Sequence, residues 1–169
     1  PIYLGTAVSV LILGVMGMQF NAASSVPPIH NISTDTDDPP QFVEVVALRG
    51  ASSNPLALDA ERIAPLQKEF YPWVETLVMR SSTSDAFQKA LSALEDLGLE
   101  IVATHPDLGL IEATDTTFWF GFKDDVAVRV REYPRGSIID VRSVSRVGQS
   151  DLGVNARRIG EILSRISGD

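Results

Sequence analysis

The sequence predicts an α+β fold, a two-layer sandwich of an antiparallel meander sheet with flanking helices, preceded by one transmembrane helix. Three observations support this prediction. An uncharged apolar run opens the chain, short β-type segments separated by tight turns begin at Leu99, and a helical segment occurs before and after those segments. Strands joined by tight turns are expected to be antiparallel, because a parallel pair needs a long crossover connection.

Residues 1–20 are predicted to form the transmembrane helix. No charged residue occurs from Pro1 to Ile29, and about 20 apolar residues are needed to span the hydrocarbon core of a bilayer. A cleaved signal peptide is the alternative, but no Lys or Arg precedes the apolar run, and residues 21–23 form a poor cleavage site. The residues predicted to contact lipid are Ile2, Leu4, Leu11, Leu13, Met16 and Phe20.

The charges that flank this helix predict its orientation. Acidic residues follow the apolar run, and the first arginine is Arg49. Because Lys and Arg near a span tend to stay in the cytoplasm, the rest of the chain is expected in the periplasm or, equivalently, in the thylakoid lumen. We therefore expect a membrane protein that contacts the lipid bilayer through residues 1–20.

Residues 21–41 lack periodicity and are rich in proline and polar residues, which predicts an extended connector. Residues 42–169 would then form an extracytoplasmic α+β domain. Within that domain, the stretch from Phe42 to Gly50 predicts either a short strand or an arm lying on the domain. A short helix is expected around Asp59 to Phe70, after which Pro72 favours extended structure.

The elements after residue 83 have stronger signals. Ser84 is predicted to cap a helix that extends to Leu97, and Gly98 stands where a left-handed C-terminal residue is favoured. This helix and a C-terminal helix are expected to cover the same face of the sheet. The other predicted elements are strands at Leu99–His105, Leu110–Thr114, Thr117–Phe122, Val126–Glu132 and Ser137–Val147, and the helix Leu152–Ile166.

Composition excludes several classes of function. The net charge of -8 argues against general nucleic-acid binding. The chain has no cysteine, which excludes thiol catalysis and thiolate metal sites. Arginines are nevertheless concentrated in the last quarter of the chain, which suggests a local site for an anion or an acidic partner.

A row of arginines is the candidate anion site. Arg129, Arg142 and Arg146 are expected on the sheet face opposite the core valines, and guanidinium groups bind carboxylate or phosphate well. Ser150 and Asp151 then precede a helix whose first amide groups are unpaired donors. Alternatively, the arginines pair with carboxylates of their own chain, and Ser150 or Asp151 caps the helix. Sequence alone leaves this choice open.

Trp119 is a further candidate for binding. It lies beside Gly121 in the aromatic segment "FWFGFKDD", so an exposed indole could stack on a ligand or dock a partner. Alternatively, Trp119 covers the open face of the sheet. The adjacent Asp124 and Asp125 lack the further spaced oxygen ligands of a calcium site, and neither a metal nor a cofactor is predicted.

Enzymatic function is not predicted. The histidines of the chain are His30 and His105, and neither lies in an HExxH or GxSxG motif. A serine-type hydrolase that uses His30 ranks last among the hypotheses. The serines considered for it are Ser143, Ser145 and Ser150.

Several segments resemble a known family. "PPIHNISTDTDDPPQF", "WFGFKDDVAVRVRE" and above all "RSVSRVGQSDLGVN" are similar to segments of the bacterial and plastid family catalogued as domain of unknown function 1499. In many bacterial members such a domain follows several membrane spans, so the resemblance implies a fold and a topology without a reaction. The residues that match the family pattern are His30, Asp35, Pro39, Pro40, Trp119, Asp125, Arg129, Asp140, Arg142, Ser143, Ser145, Arg146, Gly148, Ser150, Asp151 and Asn155.

Together these observations predict a membrane-anchored domain that acts by binding. We expect it to be an accessory or assembly subunit of a larger membrane complex of the photosynthetic or respiratory type, with other membrane-protein subunits as partners. A module for a small anionic ligand or a lipid is the alternative. The residues predicted to bind an anion or a partner are Arg129, Arg142, Arg146, Ser150, Asp151, Asn155 and Trp119.

Overall fold

The structure is a computed structural model that describes Leu13, residues 26–117 and residues 120–168. Among these described residues, no helix has the length and apolar character needed to cross a membrane. The predicted transmembrane helix lies outside the described residues apart from Leu13. The membrane span therefore stays a prediction.

In the described part of the chain, six strands form one antiparallel sheet with the order β1-β6-β5-β4-β3, and β2 also pairs with β6. The strands are β1 (Asn31–Ser33), β2 (Leu77–Met79), β3 (Glu100–His105), β4 (Leu110–Thr116), β5 (Lys123–Tyr133) and β6 (Gly136–Ser145). The α-helices are α1 (Ala60–Phe70), α2 (Thr83–Asp96) and α3 (Val154–Ser167). The α+β class and the antiparallel meander of β3 to β6 are as predicted.

Both α2 and α3 pack on one face of the sheet, which we call the helix face. Val126, Val128 and Val130 of β5 are buried there. Phe87 of α2 and Ile159 of α3 belong to the same apolar cluster. The valines alternate with residues that point the other way, because successive side chains of a strand lie on opposite faces. The expectation that both helices cover one face is confirmed.

The opposite face of the sheet is covered by residues 35–58, which we call the arm. Phe42 and Val45 of the arm form a second buried apolar cluster with sheet residues that include Ala127 and Val144. Val45–Leu48 is a 3-10 helix, so the predicted arm is present and the alternative strand is not. We call this side of the sheet the arm face.

The buried carboxylate of Glu112 fixes the arm to β4. Its Oε1 accepts the backbone N–H of Val43 at 2.8 Å, and its Oε2 accepts that of Glu44 at 2.8 Å. These amides lie at the N-terminal end of the 3-10 helix, where backbone N–H groups have no acceptor within the helix. The arm is thereby attached through its backbone as well as through apolar contacts.

Two local predictions are corrected. Ser82, rather than Ser84, caps α2, since its hydroxyl accepts the N–H of Asp85 at 3.0 Å. The connector predicted for residues 21–41 includes β1, which pairs with the edge of β6. Neither difference could be read from local pattern, because adjacent serines compete for the cap and β1 is extended only through its partner strand.

The strand predicted at Thr117–Phe122 is wrong for the residues that the structure describes there. Thr116 of β4 already pairs with Lys123 of β5, so the described residues between them, Thr117 and 120–122, lie in the connection between these strands. The N–H of Gly121 binds the carbonyl of Thr117 at 2.9 Å, and Gly121 has a φ of 63°. A left-handed residue at this position closes a loop and interrupts a strand.

Replacing Glu112 by Gln tests how the arm is attached. The amide side chain keeps one acceptor oxygen and brings an N–H toward the backbone donors, so the free energy of unfolding should fall by about 1–3 kcal/mol. Hydrogen exchange at the amides of Val43 and Glu44 should accelerate. The same change at the exposed Glu100 should alter the unfolding free energy by less than about 0.5 kcal/mol. Unchanged exchange at both arm amides would contradict the assigned role.

Candidate functional site

The guanidinium of Arg142 is buried on the arm face. It donates to the Oδ1 of Asn31 at 3.1 Å, to the carbonyl of Pro40 at 3.0 Å and to the carbonyl of Leu56, and it lies over the ring of Phe42. All of these partners are neutral. Burial lowers the pKa of Arg142 to about 10, with a smaller effect from the charge of Arg49, so the side chain stays charged at neutral pH. Its donors are committed to the arm and to β1.

Arg146 forms a second buried contact on the arm face. Its Nη2 binds the Oδ1 of the fully buried Asp125 at 2.7 Å, and its Nε binds the Oδ2 at 3.0 Å. Arg49 of the arm binds the same carboxylate, and Thr114 of β4 donates its hydroxyl to it at 2.9 Å. Two arginines thus share one carboxylate, and both are held by their own chain.

Arg129 completes the row through a surface network. Its Nη2 lies 3.2 Å from the Oδ2 of the buried Asp140, and its Nη1 lies 3.0 Å from the Oδ2 of Asp38. Arg131 binds the same oxygen of Asp140 at 2.7 Å. The arginine row therefore pairs with carboxylates and carbonyls of its own chain and holds the arm on the sheet.

A pocket of about 540 Å³ opens at the end of the sheet, between the β4–β5 loop and the β6–α3 connection. We call the four large apolar side chains at its opening the lip. Their exposed fractions are 77% for Phe120, 50% for Phe122, 44% for Val147 and 55% for Leu152. The rings of Phe120 and Phe122 stack with centroids 5.5 Å apart. Exposure of this kind is unfavourable in water and is typical of a binding surface.

The buried polar residues that line the pocket are Asp124, Ser145 and Asp151, and we call them the floor. Asp151 caps the N-terminal end of α3, because its Oδ1 and Oδ2 accept the N–H groups of Gly153 and Asn155, each at 2.9 Å. Burial raises the pKa of Asp151, these hydrogen bonds oppose the rise, and the charge of Asp124 adds to it. The sequence left open whether this helix end binds an external anion or is capped by Ser150 or Asp151, and in the structure the carboxylate of Asp151 occupies it.

Behind the floor, Arg158 of α3 connects helix and sheet. Its Nη2 binds Asp115 at 2.6 Å and Asp124 at 2.7 Å, and its Nη1 binds the Oδ1 of Asn155 at 2.6 Å. The Nδ2 of Asn155 donates to the hydroxyl of Ser145 at 2.9 Å. Arg158 was not among the predicted site residues. The available signal was its position one helical turn after Asn155, which places both side chains on one face.

A family model described as "Protein of unknown function (DUF1499)" matches residues 31–166. The chain belongs to the DUF1499 family. No curated protein matches it. The matched range begins at β1 and ends within α3, so it contains the sheet, the arm and the pocket of this DUF1499 domain.

The predicted binding residues of the DUF1499 domain divide between two places. Arg129, Arg142 and Arg146 lie on the arm face. Asp151 and Asn155 lie at the start of α3, on the helix face. The predicted single corner, in which the arginines and the helix end hold one anion, is therefore not formed, because strand alternation separates them.

The remaining predicted site residues are placed as follows. The hydroxyl of Ser150 accepts the N–H of Leu152 at 3.2 Å and lies 3.5 Å from the carbonyl of Pro27. Trp119 lies outside the described residues, so its role stays a prediction. Asp124 faces Arg158, whereas Asp125 is buried on the other face of the sheet. These adjacent carboxylates therefore cannot share one cation.

The serine and histidine pairs considered for a hydrolase are not formed among the described residues. The Nδ1 of His30 lies 3.4 Å from the carbonyl of Gln149. The hydroxyl of Ser143 donates to Asn155 at 2.7 Å, and that of Ser145 accepts from Asn155. In the described ranges, no group of three or more His, Asp or Glu side chains could hold a metal ion.

Replacing Arg142 by Lys tests its structural role. A lysine cannot reach the acceptors of Asn31, Pro40 and Leu56 at once, so the free energy of unfolding should fall by roughly 2–4 kcal/mol in urea titrations. Arg62→Lys is the matched control, since Arg62 forms an exposed pair with Asp59 and its replacement should cost less than about 0.5 kcal/mol. Equal midpoints for the two variants would contradict the role assigned to Arg142.

Asp124→Asn tests the electrostatics of the pocket floor. The change removes a negative charge but keeps an acceptor for Arg158, so the pKa of Asp151 should fall. It should still stay above its ordinary value of 3.8, because Asp151 remains buried. Carboxyl ¹³C titration by NMR measures the pKa of Asp151 in the wild-type protein and in the variant. A pKa of Asp151 that is the same in both proteins would show that the two carboxylates do not interact.

Proposed function

We propose that this DUF1499 chain is a membrane-anchored binding domain whose pocket takes up an apolar ligand from the bilayer. The observation that carries this proposal is the position at which the chain enters the domain. The N–H of Asp151, on the pocket floor, binds the carbonyl of Ile29 at 3.2 Å, and Ser150 lies against Pro27. The segment that follows the apolar run therefore reaches the domain beside the pocket.

Chain length then limits how far the pocket can lie from a membrane. Residues 21–26 separate the apolar run from Pro27. A chain of that length spans at most about 20 Å when fully extended. If the apolar run crosses the bilayer, the lip is held close to the membrane surface, where apolar molecules are concentrated.

The form of the pocket favours a ligand of small or moderate size. Its volume of about 540 Å³ lies within the range of roughly 300–1,000 Å³ that is common for ligand sites. Walls made of Phe120, Phe122, Val147 and Leu152 would gain free energy when covered by an apolar chain. A flat partner surface would leave most of this concave volume empty.

The second candidate function is that of an accessory subunit in a larger membrane complex. The observation that favours it is a separate group of apolar side chains on the arm, since Val43, Val46 and Leu48 are each about half exposed. Other membrane-protein subunits could cover this group. This function predicts stoichiometric co-purification of another protein with the full chain in mild detergent.

A lip variant tests the first function. The full chain is purified in mild detergent, and binding of the neutral apolar fluorophore N-phenyl-1-naphthylamine is titrated. Phe120→Ser combined with Val147→Ser should weaken binding at least about tenfold, because each lost apolar contact contributes roughly 1–3 kcal/mol. The control is Leu108→Ser, which removes a side chain of similar exposure, 65%, from the β3–β4 connection.

Binding that is unchanged in the lip variant would contradict the proposed site. Native mass spectrometry of the same preparations separates the two candidate functions. Bound lipid-sized molecules that disappear in the lip variant support ligand uptake, whereas a bound protein subunit without such molecules supports the accessory role.

A further inference from the structure

The charges that line the pocket bear on what it can bind. Among its described lining residues, the ionisable side chains are Asp124 and Asp151, and no Lys or Arg lines it. Arg146 is close in sequence, but its guanidinium is bound to Asp125 on the arm face. The pocket therefore combines apolar walls with an acidic floor.

Both carboxylates of the floor retain acceptor capacity. The Oδ2 of Asp124 accepts from Arg158, and within the described residues no hydrogen bond reaches its Oδ1. The oxygens of Asp151 accept the backbone N–H groups of Gly153 and Asn155, and the side chain of Asn155 also stabilises this carboxylate; a carboxylate has about four lone-pair sites. Asp124 lines the pocket and is more than nine-tenths buried, so its carboxylate is shielded from bulk water.

The local charge is also not balanced. Arg158 is the guanidinium that binds the floor from α3, and it is shared between Asp115 and Asp124. Asp151 has no cationic partner among the described residues and is held by backbone N–H groups. Two carboxylates thus share one guanidinium, and the charge of Asp124 acts on Asp151, which has no ion pair of its own in the described chain.

We infer that the pocket selects an amphiphile with a cationic, N–H-bearing head group, whose chain lies against the lip and whose ammonium group donates to Asp124 and Asp151. The inference rests on the proposed binding function of the pocket. An ammonium group matches both the sign of the floor and its free acceptors. A carboxylate or phosphate head group would be placed against two like charges, and Arg158, the guanidinium beside them, is already bound to Asp115 and Asp124. A small anionic ligand, the alternative drawn from the sequence, is therefore expected to bind this pocket less well.

The experiment compares ligands that differ only in the head group. Dodecylamine, dodecanol and dodecanoate are titrated at neutral pH against the full chain, in mild detergent, with N-phenyl-1-naphthylamine bound. The same titrations of the lip variant Phe120→Ser with Val147→Ser give the change in fluorescence that comes from partitioning of each ligand into the micelle. This change is subtracted from that of the wild-type chain. We expect dodecylamine to displace the probe about tenfold more effectively than dodecanol, and dodecanoate to be the weakest.

Matched variants test whether a preference for dodecylamine depends on the charges of the floor. Asp124→Asn keeps an acceptor for Arg158, and Asp151→Asn keeps an acceptor at the start of α3, so each removes a charge with little change in shape. Either variant should reduce the preference for dodecylamine over dodecanol by about fivefold or more. The control is Asp107→Asn, an exposed carboxylate on the β3–β4 connection. Circular dichroism confirms that each variant is folded.

The outcomes distinguish a failure of the head-group inference from a failure of the proposed binding function. Equal displacement by the three ligands in the wild-type chain would overturn the head-group inference and leave apolar binding intact. A preference that survives in both floor variants would overturn the assignment to Asp124 and Asp151. If the probe binds the wild-type chain and the lip variant equally, the pocket is not the site, and both proposals fail.

Discussion

The attachment of the arm depends on the buried charge of Arg142. A guanidinium group in the interior is tolerated only when its donors are hydrogen-bonded, because an unpaired charge there is very costly. The acceptors come from separate parts of the chain: Asn31 in β1, Pro40 at the start of the arm and Leu56 near its end. None of these acceptors is a carboxylate, so they stabilise the guanidinium through hydrogen bonds from fixed positions and not through an ion pair. One side chain of β6 thereby brings three N-terminal segments to the same place on the sheet.

The alternation of β6 gives its two faces different roles. Arg142 and Val144 point to the arm, whereas Ser143 and Ser145 point to α3 and join the network of Asn155. Ion pairs and hydrogen bonds are thus used inside the domain to hold arm and helix in place. At the end of the sheet, by contrast, the apolar lip is exposed to solvent. Stability does not require that exposure, which is why we assign binding to this end.

Local pattern predicted the regular elements well, since the alternation of valines in β5 and the helical spacing in α2 and α3 are properties of neighbouring residues. It failed at Thr117–Phe122, where aromatic residues imitate a strand and Gly121 was the sign of a loop. It also missed Arg158, because an arginine on an amphipathic helix is usually assigned to the solvent side. Asp115 and Asp124 lie 43 and 34 residues earlier in the chain, so no spacing rule connects them with Arg158.

By itself, the sequence determined the α+β class, the antiparallel meander, the burial of Val126, Val128 and Val130, and the left-handed residue Gly98 that ends α2. Each of these follows from steric and hydrophobic preferences that act within a few residues. Only the tertiary structure decided that the arginines face acceptors of their own chain, and that the acidic floor lies under an apolar lip. Such partners are chosen by the packing of distant segments, and the cost of leaving a buried charge or amide unpaired acts only once those segments meet.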